Sequence, residues 1–376
     1  MRILHVFKTY YPDSFGGIEQ VIHEISARSS PLFEHTLLTI GNCKVIQHER
    51  QEGLRVIRLP KQGELLSTPW ARDGLRQFKL AVDAADVVHY HAPWPMIDYW
   101  HYLAPPKKPT VLTYHADVTK APWLAKLYAI MQRRTLSRVD AVVATSPNLL
   151  GSSSVLQSLQ QSVHVIPLGL THAPPLSEVE QVNLLRLLSL PQQPFILFVG
   201  SLRPYKGIQV ALDAACVSGV PLVIVGDGPT RTVLQRSLPR DAPVTFLGSV
   251  TDQEKQALIA RCAALVLPSI NRAEAFGLVL LEAAMQAKPQ ISTALGTATS
   301  WVNIHGVTGW VVPPSNVTAL AAAMREVVDQ PVLAKERGLA SWERWHHLFQ
   351  GSIMVDAYER LYEDLLTRSV TLRQNQ

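Results

Sequence analysis

Short apolar runs alternate with helix-length amphipathic stretches along the whole chain. That alternation predicts parallel strands joined by crossover helices, the pattern of an α/β fold. In the first half, strands are expected at residues 3–7, 36–40, 54–59, 86–89, 110–114, 141–145 and 163–166. Several are apolar throughout, as strands covered on both faces are. The rhythm breaks over residues 167–194, which open Pro167-Leu168-Gly169-Leu170 and pass through Pro174-Pro175. This stretch reads as a linker with one short helix near 178–188. Strand signals resume at 195–200 and continue at 222–225, 244–247, 265–267, 290–293 and 309–312. Residues 351–366 have helical period, with Met354, Ala357, Leu361 and Leu365 on one side. Two doubly wound domains follow, 1–172 and 195–350, with a linker at 173–194 and a final helix within 351–376. Open parallel sheets bind ligands beyond their strand C-termini, so a cleft between two such domains is the expected site.

Length changes this picture little, because 376 residues suit two domains. Composition, 47% hydrophobic and 17% charged, excludes a disordered, collagen-like or coiled-coil chain. Three scattered cysteines exclude a disulfide framework or a cysteine zinc site. The apolar runs are far shorter than the roughly 18 residues of a spanning helix. The first is also too short for a signal peptide, so a soluble, cytoplasmic protein is expected. Residues 1–172 hold 18 basic and 13 acidic side chains, whereas 173–376 hold 17 of each. The excess positive charge in the first half suits an anionic membrane surface or substrate, or is compositional scatter. Aromatic residues gather at Trp94, Tyr99, Trp100, Tyr102 and Trp123, around a basic stretch, 120–138, with Lys126, Arg133, Arg134 and Arg138. Such a helix either lies on a membrane interface or covers the sheet. Nucleic acid is not an expected partner, since the isoelectric point is only about 9.1 and no groove-reading motif is present.

Candidate chemistry clusters just after strands. The first strand runs into a loop ending Gly16-Gly17-Ile18-Glu19, where missing Cβ atoms and a helix start would admit a ligand's anion. A tight turn needs the same residues, and the dinucleotide fingerprint G-x-G-x-x-G is absent. The second domain opens Gly200-Ser201-Leu202-Arg203-Pro204-Tyr205-Lys206-Gly207. Arg203 and Lys206 could clamp a diphosphate and stabilise it as it leaves. Gly226-Asp227-Gly228-Pro229 reads first as a structural βα turn. In Glu274-Ala275-Phe276-Gly277-Leu278-Val279-Leu280-Leu281-Glu282, a helix is expected to start near Phe276, with its free N–H groups toward an anion. Glu274 is placed to accept from sugar hydroxyls. Glu282, among apolar neighbours, needs partners such as ribose hydroxyls. His115 follows the strand at 110–114. His89 and His91 follow another, with no third metal ligand evident. No Asp-x-Asp, nucleophile elbow or His-Glu-x-x-His occurs.

Taken in order, these residues resemble the retaining GT-B glycosyltransferases of family four. The resemblance rests on Gly16-Gly17-Ile18-Glu19, Tyr114-His115, Pro167-Leu168-Gly169, Gly200 to Gly207, Gly226 to Pro229 and the Glu274-x7-Glu282 element, and it covers nearly the whole chain. More narrowly, the opening His5 to Asp13, Ser269 to Gly277, Leu295-Gly296-Thr297 and Thr299-Ser300 look like those of O-antigen mannosyltransferases that use GDP-mannose. The resemblance implies two facing Rossmann-like domains and a final helix crossing back onto the first. It implies Arg203 and Lys206 on the diphosphate, and Glu274 with the backbone of Phe276, Gly277 and Leu278 on the donor sugar. Glu282 would hold the ribose, Ser249 and Val250 would meet the base, and His115 would touch the sugar. Gly16 and Gly17 would face phosphates or acceptor. Arg272 is an extra cation without an assigned role. The implied enzyme is a cytoplasmic, membrane-peripheral α-mannosyltransferase that needs no metal and extends a lipid-linked O-antigen glycan. The same architecture would also serve GDP-rhamnose or UDP-glucose, a nucleotide-sugar hydrolase or epimerase, or a non-catalytic synthase subunit.

Overall fold

The computed structural model describes residues 1–118, 122–172, 174–186 and 188–374; the side chains of 122–127 and 372–374 are not included. The chain divides into two compact units. The first joins Met1–Thr171 to the segment from Gly351, and the second is His172–Gln350.

The first unit is built on an eight-stranded sheet. Its strands are β1 (Arg2–Val6), β2 (Glu34–Gly41), β3 (Gln47–Gln51), β4 (Leu54–Pro60), β7 (Val87–Ala92), β8 (Thr110–Tyr114), β9 (Ala141–Ala144) and β10 (Val163–Val165), in the order β10-β9-β8-β7-β1-β2-β4-β3. All pairs are parallel except β3 with β4. A small hairpin, β5 (Gly63–Leu65) with β6 (Thr68–Trp70), stands apart. Continuous apolar runs such as Val111, Leu112 and Val142, Val143 are fully buried, as a sheet covered on both faces requires. The helix Gly351–Gln374 lies in this unit and packs against the helix Gly17–Arg28. Met354, Leu361 and Leu365 are buried in it, and so are Tyr358 and Tyr362.

The second unit has a six-stranded parallel sheet, β11 (Ile196–Val199), β12 (Leu222–Val225), β13 (Val244–Gly248), β14 (Ala264–Leu267), β15 (Gln290–Thr293) and β16 (Gly309–Val312), in the order β13-β12-β11-β14-β15-β16. The order reverses beside β11, so the turns after β11 and β14 diverge at the strand C-termini, where doubly wound sheets bind ligands. The segment expected as a linker, 173–194, belongs largely to this unit. Its helix Glu178–Leu185 has a Ser177–Glu180 capping box and packs on the helix Asp252–Arg261. Gln256 adds a hydrogen bond to the Pro174 carbonyl at 2.9 Å.

Three expectations change on contact with the fold. β7 extends to Ala92, so His89 and His91 lie within a strand rather than after it. Alternating polar residues hid this, although alternation is what one face of a strand produces. The helix after Glu274 starts at Leu278, not Phe276, because Gly277 turns left-handed (φ 78°) to begin it. Trp94 and Trp100 are 1% exposed and pack edge to face at 5.1 Å, which removes them from any membrane-facing role. Tyr99, Tyr102, Arg133, Arg134 and Arg138 are exposed. The side chains of Trp123 and Lys126, and residue Lys120, lie outside the described residues.

Candidate active site

The second unit gathers its charged residues after β11 and β14. The turn after β11 passes Arg203, exposed and extended, into a single 3-10 turn, Pro204–Lys206. Gly207 ends that turn at φ 66°, and any Cβ there would lie 2.1 Å from the Pro268 carbonyl. Only glycine lets the two loops approach this closely. The Ile270 N–H donates to the Tyr205 carbonyl at 2.9 Å and fastens one loop to the other.

Across this contact Lys206 Nζ meets Glu274 Oε2 at 2.5 Å. Ser269 Oγ donates to the same carboxylate oxygen at 2.9 Å. Glu274 is only 7% exposed. Burial pulls the Lys206 ammonium toward deprotonation, but the Glu274 carboxylate, with Tyr205 beside it, more than reverses this and leaves its pKa raised. Thr297 Oγ1 donates to the Glu274 carbonyl at 2.8 Å, and the Ala298 N–H donates to the Ala275 carbonyl at 3.0 Å, so the backbone on both sides is fixed. Phe276 is buried against Phe349. No side chain caps the helix Leu278–Met285 at Gly277.

Glu282 lies along the same helix. Its Oε1 accepts from Lys255 Nζ at 3.1 Å, while its Oε2 is buried without a partner among the described residues. Burial alone would lower the Lys255 pKa; Glu282 and Asp252 raise it instead. Lys255 was not singled out from the sequence. Its signal was the Thr251–Glu254 capping box, which starts the helix Asp252–Arg261 and so fixes which face Lys255 presents. Ser249 and Val250 form the turn between β13 and that helix, Ser249 exposed and Val250 half-buried. Gly226 to Pro229 is a packing turn: a Cβ on Gly226 would lie 2.1 Å from the Gly200 carbonyl, and Leu202 N–H donates to Asp227. The Arg272 guanidinium reaches the Gly296 carbonyl.

In the first unit, Gly16 caps the helix Gly17–Arg28, and Glu19 folds back over it. The Glu19 carboxylate is buried and accepts from Thr9 Oγ1 at 2.8 Å, so this loop presents negative charge beside its glycines. His115 follows β8 directly and is 4% exposed. Burial holds its imidazole neutral, with its pKa lowered to about 3. It ends a row of buried imidazoles. His91 Nδ1 lies 3.1 Å from His115 Nε2, His5 Nδ1 lies 3.0 Å from His91 Nε2, and His35 Nδ1 lies 2.9 Å from His5 Nε2. The register that pairs His5 with His89 on β1 and β7 also brings ring nitrogens of His5, His89 and His91 within 4.8 Å of one another. The third histidine that the sequence did not reveal is therefore His5. His89 hydrogen-bonds Thr113 and Tyr362, both at 2.7 Å.

Two sheets of this topology define two Rossmann-like units, the GT-B fold. Residues 186–340 match the family described as Glycosyl transferases group 1, and residues 15–173 match Glycosyltransferase Family 4. The chain belongs to this glycosyltransferase family. It is 40% identical over 371 residues to O-antigen chain mannosyltransferase C of Escherichia coli, covering 97% of this chain and 99% of the relative. It is also 40% identical over 353 residues to D-rhamnosyltransferase WbpZ of Pseudomonas aeruginosa, covering 93% and 92%. Among solved structures, Anabaena Alr3699/HepE in complex with UDP and glucose superposes with a TM-score of 0.79 at 17% identity, over 97% of this chain and all of that one. WaaG, a glycosyltransferase involved in lipopolysaccharide biosynthesis, superposes at 0.69 and 18% identity over 94% and 98%. These two likenesses bear on the fold alone.

Proposed function

We propose that this glycosyltransferase moves mannose from GDP-mannose to a lipid-linked O-antigen glycan, with retention at the anomeric carbon. The observation that supports it best is the Lys206–Glu274 pair with Ser269, in a chain matched end to end by an O-antigen mannosyltransferase. Lys206, with Arg203, neutralises the diphosphate. Glu274 and the backbone of Phe276, Gly277 and Leu278 accept from and donate to the sugar. Glu282 uses its unpartnered oxygen on the ribose, Ser249 and Val250 meet the base, and His115 contacts the sugar. The bond from the anomeric carbon to the β-phosphate oxygen breaks as the acceptor oxygen bonds on the same face. The acceptor's proton passes to the departing phosphate. Two cations at the leaving group are then the main electrostatic contribution, and no metal is needed. Because Glu19 lies over Gly16, the Gly16-Gly17 loop suits an uncharged acceptor hydroxyl better than a phosphate.

No helix among the described residues is long and apolar enough to cross a membrane. The exposed Arg133, Arg134 and Arg138 support peripheral attachment at the cytoplasmic face through anionic lipid. The second reading is D-rhamnose transfer from GDP-rhamnose, favoured by the equal identity to the rhamnosyltransferase. A screen of GDP-mannose, GDP-rhamnose and UDP-glucose against lipid-linked acceptors decides, with anomeric configuration and linkage read by NMR. Mannose transferred in α-linkage in the presence of EDTA is the expected result. An inverted product, a free sugar or a metal requirement overturns it.

A further inference from the structure

The histidine row has a property that follows from counting protons. His35, His5, His91 and His115 are fully or almost fully buried, and their rings stack at centroid spacings of 5.1 Å and 5.3 Å. A neutral imidazole has one N–H and one lone pair. Three nitrogen-to-nitrogen hydrogen bonds between four such rings use three protons and leave one. That proton sits either on His115 Nδ1 or on His35 Nε2, the two terminal nitrogens, and both are buried without a partner among the described residues. All four tautomers switch together, because reversing one bond leaves two lone pairs or two protons opposed. The ends differ in surroundings. His35 lies at the start of β2, whereas His115 lies just beyond the C-terminal end of β8, the edge where parallel sheets receive ligands. A buried N–H without an acceptor is rare and costly, and an oxygen-rich ligand at that edge relieves it.

We propose that His35, His5 and His91 are positioning residues that fix His115 as an Nδ1–H donor to an oxygen of the bound sugar substrate. This rests on the reading above, in that His115 must meet the substrate. The chain Tyr362–His89–Thr113–Tyr358, with Thr113 Oγ1 and Tyr358 Oη 2.9 Å apart, runs beside the row, and the His89 ring packs on that of His91 at 4.2 Å. Every nitrogen of His5, His89 and His91 already makes a hydrogen bond, so a metal ion that took one nitrogen from each would displace one hydrogen bond per ring.

The test has a part that needs no turnover. Long-range proton–nitrogen spectra of the full chain labelled with 15N-histidine should show His115 in the Nδ1–H form in the presence of the nucleotide sugar, and His5→Phe should let both tautomers appear. His91→Leu, which removes the donor to His115 Nε2, should lower kcat on the order of tenfold, the scale of one hydrogen bond. His91→Asn keeps an N–H at the position of Nδ1 and should restore most of that loss. A wild-type His115 carrying its proton on Nε2, an Asn variant as slow as the Leu variant, or one equivalent of tightly bound metal per chain overturns the proposal. If no nucleotide sugar is turned over, the functional reading fails while the tautomer measurement still decides this one.

Discussion

The two units share a sheet architecture yet prepare their strand ends in opposite ways. The second sets formal charges beside each other, Lys206 on Glu274 and Lys255 on Glu282. The first buries a row of imidazoles that are kept uncharged by burial and by one another. An ion pair tolerates a charged ligand, because an arriving diphosphate can share the cation. A neutral row offers orientation rather than charge. On the roles proposed above, the contrast separates two tasks, neutralising a leaving group and directing a hydrogen bond.

The sharpest way to break the contrast is to remove a charge from the second unit. Lys206→Ala should lower kcat/KM by about 10²- to 10³-fold with the fold intact. Glu274→Ala strands a largely buried cation, which costs about 3–5 kcal/mol when such a pair is fully buried, so thermal unfolding should register it. Glu274→Gln keeps an acceptor for Ser269 and should lose activity with a smaller stability penalty. Near-normal turnover in the Lys206 and Glu274 variants would undo the assignment of roles.

The second largest effect should belong to the first unit and to acid. His115 and His35 have pKa values lowered to about 3 and about 4, and His5, His89 and His91 are lowered well below the ordinary value near 6.5. The unfolded chain therefore takes up protons that the folded chain does not. Stability is fully present above pH 6.5 and falls as pH drops through that value. Each histidine contributes up to about 1.4 kcal/mol per pH unit until its folded pKa is reached. Urea unfolding between pH 7 and 5 should show this slope, and replacing His35 and His5 together should flatten it. Smaller still, Glu282→Ala should raise the donor KM about tenfold with kcat little changed, since in the proposed role its buried second oxygen holds the ribose of a nucleotide that stays bound through reaction. Lys255→Met should give the smallest change, a few-fold in the same KM, because it acts through Glu282.

Much of this arrangement was legible in the sequence where one strand and its following turn suffice. Arg203, Lys206, Glu274 and Glu282 were visible because each follows a strong apolar run. What lay hidden depends on register across distant strands. His5 and His35 sit inside the first two strands, and only the pairing of β1 with β2 and β7 brings them to His91. Glu19 likewise had no role of its own within the Gly16-Gly17-Ile18-Glu19 loop, because only the fold brings Thr9 to hold it over Gly16. The hairpin β5–β6 and the edge strand β3 were missed because Gln47–Gln51 is wholly polar and the hairpin strands are three residues each.

The final helix, Gly351–Gln374, places Tyr358 and Tyr362 over Thr113 and His89, while Glu359 accepts from the Ser30 N–H at 2.6 Å. Vectorial synthesis thus delivers the covering layer of the first sheet after the whole second unit has left the ribosome. Until then the polar faces of β7 and β8 stand open, and a released chain ending at residue 350 should be cleaved readily within the first half while the second resists protease.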